Sequence, residues 1–248
     1  MLLQLDGNII LTDPVFSRRA SPLPFLGPQR KTPPVLSVEQ LHQLDAVVIS
    51  HNHYDHLDDA TIRKILKRFP DVCCFVPLGL ADWFRRRGAK RVVELDWWQS
   101  FTWQGMTLTA VPAQHWSMRT PWNRNRSLWC GWVIEGRHHR FWFSGDTGYS
   151  PELLLIPERL GQIDAAALPI GAYAPRWFMA VHHMDPQSAV ALWQQLGSPL
   201  AFPIHWGVFE LADEALDEPV QELTDALDNL APVNHSFRIL KIGEYLSF

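Results

Sequence analysis

Short apolar runs recur along the chain, each closed by polar or small residues, and helical spacing intervenes between only some of them. Residues 2–5 and 8–12 turn about Asp6-Gly7 and predict a strand hairpin. Residues 46–49 and 72–76 are unbroken apolar runs of strand length. Between them, residues 59–69 place Ile62, Ile65, Leu66 and Phe69 at helical spacing and stop at Pro70. Residues 80–87 predict a second helix, ended by Gly88. From Arg91 to Ser144 the pattern predicts three or four strands with little helix among them. Helices are predicted over 151–160, 186–196 and 213–230, separated by strands around 165–168 and 201–204. Residues 21–34, with Pro22, Pro24, Pro28, Pro33 and Pro34, predict an irregular excursion. Strands followed by helices, twice over, predict an α/β (α+β) fold: two sheets packed face to face with helices outside, an αββα sandwich.

In such a sandwich the strand ends meet at one edge, and here the strand ends carry the chemistry. Ser50-His51-Asn52-His53-Tyr54-Asp55-His56-Leu57-Asp58 follows the first long apolar run. His51 and His53 fall on the same side of an extended segment, and Asp55-His56 can turn back toward a second ion. His115, Asp146 and His205 each close a later apolar segment. Ser144-Gly145 ahead of Asp146 allows a sharp turn beside an ion. Imidazole mixed with carboxylate suits zinc and similar transition metals better than magnesium or calcium.

Bulk properties narrow the field. A chain of 248 residues, 47% hydrophobic and 19% charged, is long enough for one α/β domain spanning 1–248 with a sizeable core. A formal charge of −4 gives no field to attract nucleic acid. The run Arg85-Arg86-Arg87 with Lys90-Arg91 is expected to be a solvated helix end. Cys73, Cys74 and Cys130 are odd in number and form no disulfide framework, so buried free thiols are expected. Residues 1–6 lack a basic region and are interrupted by Asp6, unlike a secretory signal, and no apolar stretch has the length of a membrane span. The expectation is a cytoplasmic protein, with peripheral contact to the inner membrane left open.

The ligand order His-x-His-x-Asp-His, His115, Asp146, His205 resembles that of metallo-β-lactamase-fold hydrolases. Further blocks resemble one branch, the N-acylphosphatidylethanolamine-hydrolysing phospholipase D family and its bacterial relatives. They are Asp13-Pro14-Val15-Phe16-Ser17, Pro112-Ala113-Gln114-His115-Trp116-Ser117, Ser144-Gly145-Asp146-Thr147-Gly148-Tyr149, His183-Met184-Asp185-Pro186 and Ile204-His205-Trp206-Gly207. The long block Pro169-Ile170-Gly171-Ala172-Tyr173-Ala174-Pro175-Arg176-Trp177-Phe178-Met179 weighs most in choosing the branch. The family also carries an upstream strand with a Trp-x-Gly-His-like motif, so the expectation is either a start placed at an internal methionine or a first sheet that lacks its N-terminal strand.

The resemblance implies two zinc ions, with other divalent transition metals as substitutes. One would be held by His51, His53 and His115, the other by Asp55, His56 and His205, with Asp146 bridging. A water shared by two such ions loses much of its proton affinity and would attack phosphorus in line, oriented by Asp55. His183 is expected to contact the phosphate or protonate the leaving group. Asp13 either steadies a ligand imidazole or caps the turn before Pro14. His42, His138, His139, His182 and His235 receive no role. Of the twelve tryptophans, Trp97, Trp98, Trp116, Trp122 and Trp177 lie outside obvious core strands. Trp116 and Trp177 are the candidates for lining an acyl groove or meeting a membrane, against core or homodimer packing. The implied activity is cleavage of a phospholipid-like phosphodiester. The alternatives are a lactonase or an amide or thioester hydrolase of the same superfamily, and a non-enzymatic membrane-associated binding protein. His53 argues against a di-iron redox role, whose branch uses His-x-Glu-x-Asp-His.

Overall fold

The computed structural model describes residues 1–230 and 236–248, so His235 lies outside the described residues. β1 (Leu2–Leu5) and β2 (Asn8–Thr12) form the expected hairpin. Its turn uses left-handed φ values of 48° at Asp6 and 80° at Gly7, which match the twist of the paired strands. β3 (Ala46–Val48), β4 (Cys73–Pro77) and β5 (Arg91–Leu95) extend this sheet in parallel, in the order β1-β2-β3-β4-β5. The second sheet comprises β6 (Ser100–Trp103), β7 (Met106–Val111), β8 (Gly131–Glu135), β9 (Arg140–Phe143), β10 (Ala165–Pro169) and β11 (Leu200–Ile204), in the reverse order β11 to β6.

Among the described residues six α-helices flank the sheets: α1 (Asp59–Arg68), α2 (Ala81–Arg85), α3 (Leu155–Leu160), α4 (Arg176–Met179), α5 (Pro186–Gln195) and α6 (Glu218–Asp228). Several expectations need correction. Five strands, not three or four, lie between Arg91 and Ser144. The extra one, β6, is a largely exposed edge held by its ladder to β7, so it shows no apolar run. α2 is shorter than 80–87, because the chain leaves the helix after Arg85 and turns at Gly88 (φ 92°). Residues 151–154 form a 3-10 turn before α3. α6 starts at Glu218 rather than 213, with Pro219 in a first turn where its missing N–H costs nothing. α4 buries no residue and so leaves no stripe to read. Nor is Arg87 simply solvated. It pairs with Asp59 and lies 3.5 Å from the centre of the Trp83 ring.

Alternate residues of the central strands feed different cores. Ala46 and Val48 meet Phe75, Met106 and Trp132 between the sheets, whereas Val47 and Ile49 meet Ile62, Ile65 and Phe84 on the α1–α2 side. Likewise Ala165 and Ala167 enter the inter-sheet core, while Ala166 and Leu168 pack with Ile156, Leu192 and Leu223. Strands covered on both faces read as continuous apolar runs, which is what the sequence displays. Two bonds lock the end of β3 to the second sheet. Trp132 Nε1–H donates to the Ile49 carbonyl at 2.8 Å, and Cys130 N–H donates to Ser50 O at 2.9 Å. Cys73, Cys74 and Cys130 are buried free thiols, as expected, and burial pushes Cys73 up to about 11 and Cys74 up to about 12. Among the described residues, no helix is long and apolar enough to cross a membrane.

Candidate metal centre

β3, β7, β9 and β11 all end at the same edge of the sandwich, and their following loops bring the seven ligand candidates together. His51, His53 and His115 offer donor atoms within 4.8 Å of one another, as do Asp55, His56, Asp146 and His205. Gly145 (φ 61°) makes the turn before Asp146, and a side chain there would meet Ser50 Cβ at 2.5 Å. Gly171 lets the β10 loop pass His205, whose carbonyl oxygen would lie 2.1 Å from an added Cβ. His205 itself holds φ at 59°, an uncommon geometry for a side-chain-bearing residue.

In the first set, His51 Nε2 faces His53 Nδ1 at 2.8 Å, and His115 Nε2 lies 3.2 Å from the same atom. The outer nitrogens of two rings are committed. Ser50 Oγ lies 2.9 Å from His51 Nδ1, and His115 Nδ1 reaches the His182 carbonyl at 3.1 Å. In the second set, Asp146 Oδ2 lies 3.1 Å from His56 Nε2 and 3.2 Å from His205 Nε2. Asp55 Oδ2 is 3.3 Å and 3.2 Å from the same two nitrogens. His56 Nδ1 meets Asp13 Oδ2 at 2.6 Å, and Asp13 also takes the Ser50 N–H at 2.7 Å. Asp13 thus steadies an imidazole and shows no capping bond to its own turn. His205 Nδ1 lies 3.4 Å from the Gly171 carbonyl, and neither this acceptor nor the His182 carbonyl is readable from sequence, because a backbone acceptor has no residue type.

Burial leads the electrostatics. It lowers His53 to about 4 and holds His51 and His115 well below the ordinary imidazole value. For His56 and His205 burial pulls the same way, but the Asp146 and Asp55 carboxylates outweigh it and raise both. Burial would raise Asp55 and Asp146, yet the facing imidazoles hold them well below the usual carboxylate range. His183 is buried, with Nδ1 3.9 Å from Asp146 Oδ2, and burial lowers it to about 4. His56 Nε2, Asp146 Oδ1 and His183 Nδ1 are buried without a hydrogen-bond partner among the described residues. Imidazoles kept neutral at His51, His53 and His115, the buried Asp55 and Asp146 carboxylates facing His56 and His205, and orphaned polar atoms are a donor set that fits divalent transition metals.

Trp116 sits edge-on to His53, 4.4 Å between centroids, whereas Trp177 is 85% exposed on α4. Trp122 is 83% exposed; Trp97 donates to the Trp129 carbonyl and Trp98 lies beneath Arg159. A largely apolar cavity of about 590 Å³ reaches Asp55, His56 and His205, lined also by Leu11, Val15, Phe16 and Phe209. Trp116 and Trp177 do not line it. Met1 does, and its ammonium is buried, donating to the Thr12 carbonyl at 3.0 Å.

The two-sheet sandwich with a His/Asp centre at its edge is the architecture of the metallo-β-lactamase superfamily. Residues 8–206 match the Beta-lactamase superfamily domain, and the chain is a metal-dependent hydrolase of that superfamily. Within it, the chain belongs to the N-acylphosphatidylethanolamine-hydrolysing phospholipase D family. It is 41% identical to N-acyl-phosphatidylethanolamine-hydrolyzing phospholipase D 1 of Caenorhabditis elegans, over 98% of this chain and 72% of that protein. It is 43% identical to an uncharacterised protein of Mycobacterium tuberculosis, over 92% of this chain and 61% of the relative. Among solved structures, a possible metal-dependent hydrolase from Veillonella parvula superposes with a TM-score of 0.79 at 17% identity, covering 98% of this chain and 94% of that one.

Proposed function

We propose that this chain is a dinuclear zinc phosphodiesterase of phospholipase D type, cleaving a phospholipid-like amphipath. The observation that carries the dinuclear reading is Asp146. It is buried between the two ligand sets, with Oδ2 near His56 and His205 and 3.9 Å from His115 Nε2. His51, His53 and His115 would hold one ion, and Asp55, His56 and His205 the other, with Asp146 between them. When bound, the ions supply Lewis acidity toward a phosphoryl oxygen and acidify water enough to make it a nucleophile near neutral pH.

The chain's own groups do the rest. Asp55 has acceptor capacity to orient a nucleophilic water. His183, held neutral at about 4, offers a ring N–H to a phosphate oxygen more readily than a proton to a leaving group. The apolar cavity beside Asp55 gives the hydrocarbon part of an amphipath a place out of water, where its binding can help position the scissile bond. The 41% identity to a protein named for phospholipase D activity supports the choice of phosphodiester over lactone or amide. The test is metal analysis joined to turnover of a phosphodiester, a lactone and a β-lactam. About two zinc ions per chain and preference for the phosphodiester are expected. One equivalent that added zinc does not raise, or preference for the lactone, overturns the reading.

A further inference from the structure

One guanidinium outside the ligand set ties together two ligand-bearing loops that come from different sheets. Arg119 follows His115 by four residues on the loop after β7. Its Nη1 donates to the Asn52 carbonyl at 2.9 Å and to the Leu57 carbonyl at 2.6 Å. Those carbonyls bracket His53, Asp55 and His56. The contact is reciprocal: Tyr54, inside the same loop, donates its hydroxyl to the Arg119 carbonyl at 2.9 Å. The guanidinium carbon lies 4.1 Å from the centre of the Tyr54 ring and 5.4 Å from that of Trp83.

Arg119 makes no ion pair among the described residues. A partly buried cation whose donors go to loop carbonyls and whose faces meet aromatic rings has been desolvated with only the non-contacting Asp58 and Asp59 carboxylates to offset it. Its planar fork suits holding several acceptors in fixed geometry, which a lysine ammonium does less well. Arg119 is itself held, since the Asn123 side chain accepts from the backbone N–H groups of Arg119 and Thr120 at 2.9 and 2.8 Å. The loop it grips is also held by His56 and Leu57 N–H to the His53 carbonyl, Asn52 Nδ2 to Ser127 Oγ, His56 Nδ1 to Asp13 and His51 Nδ1 to Ser50 Oγ.

We propose that Arg119 is a positioning residue for the metal centre, setting the distance between the His115 loop and the loop carrying His51, His53, Asp55 and His56. This rests on the reading of these residues as metal ligands. Groups that orient ligands from behind change metal affinity by about 10–100-fold when removed. The experiment strips wild-type protein, Arg119→Met and Arg119→Lys of metal. Each is then titrated with zinc against a chromophoric chelator, with the melting temperature of the metal-free form recorded alongside. The expected result is zinc affinity at least tenfold weaker in Arg119→Met, partly restored in Arg119→Lys, with metal-free melting temperatures close to wild type. Wild-type affinity in Arg119→Met overturns the proposal, as does a lysine variant no better than methionine. If the methionine variant does not fold, the lysine variant decides by itself: affinity equal to wild type overturns the proposal, and weaker affinity supports it. A wild-type protein that binds no zinc removes the ligand reading itself, a failure distinct from that of the clamp.

Discussion

Asp13 Oδ2 lies 2.6 Å from His56 Nδ1, and that contact decides which nitrogen of His56 faces the second ligand set. The carboxylate accepts Nδ1–H and leaves Nε2 pointing at Asp55 and Asp146. Asp13→Asn keeps the shape but can present an N–H to Nδ1, which moves the ring proton to Nε2 and blocks the lone pair. Zinc affinity should fall about 10–100-fold. Competition titration checks it, and an unchanged affinity means that Asp13 serves only the Ser50 backbone.

Asp146 and His183 are neighbours with separable roles. Asp146→Asn should release both metals and abolish turnover, because both ligand sets lean on the one carboxylate. His183→Ala should keep the metal content and lose activity. Metal analysis of the two variants side by side is decisive, and equal metal loss would place His183 among the ligands.

Acid should destabilise the metal-free protein within a defined window. His53 and His183 titrate at about 4 in the fold, against 6.5 for a free imidazole, and His51 and His115 are also lowered. Between those values the unfolded chain binds protons that the folded chain refuses. The stability these groups contribute is therefore present above 6.5 and lost as pH falls toward 4, at about 1.4 kcal/mol per pH unit for each such proton. His56 and His205, raised in the fold, contribute in the opposite sense, below 6.5 and decreasing as pH rises through their folded values. In the acid window both are protonated in the fold and do not offset the loss. Melting temperatures from pH 7 to 4 should fall, less steeply for His183→Phe, and a flat profile would contradict the burial argument.

Chain length should matter to turnover. For matched phosphodiesters with long and short acyl chains, kcat/KM should favour the long one, since remote apolar binding helps position the reacting bond. Equal values would remove the amphipath from the proposal while leaving the phosphodiester.

The seven ligand candidates were legible because four crowd the loop after one apolar run and His115, Asp146 and His205 each close another, and a strand end is where a sandwich exposes side chains to a common edge. β3 and β10 were equally legible, since burial on both faces leaves no polar position to interrupt the run. β6 and α4 were not, because neither buries a face. The tryptophans separate: Trp116 adjoins His115 in sequence and lies at the centre, whereas Trp177 shares only a family block with it and is exposed, a placement that suits the membrane-meeting alternative better than the groove. Arg119 was invisible because its acceptors are backbone carbonyls more than sixty residues away.

The cavity beside the second ligand set has a practical consequence. Asp55, His56 and His205 share it with Leu11, Phe16 and Phe209. A detergent tail carried through purification and lodged there would lie against the ligands themselves, so ions are best counted on protein prepared without detergent.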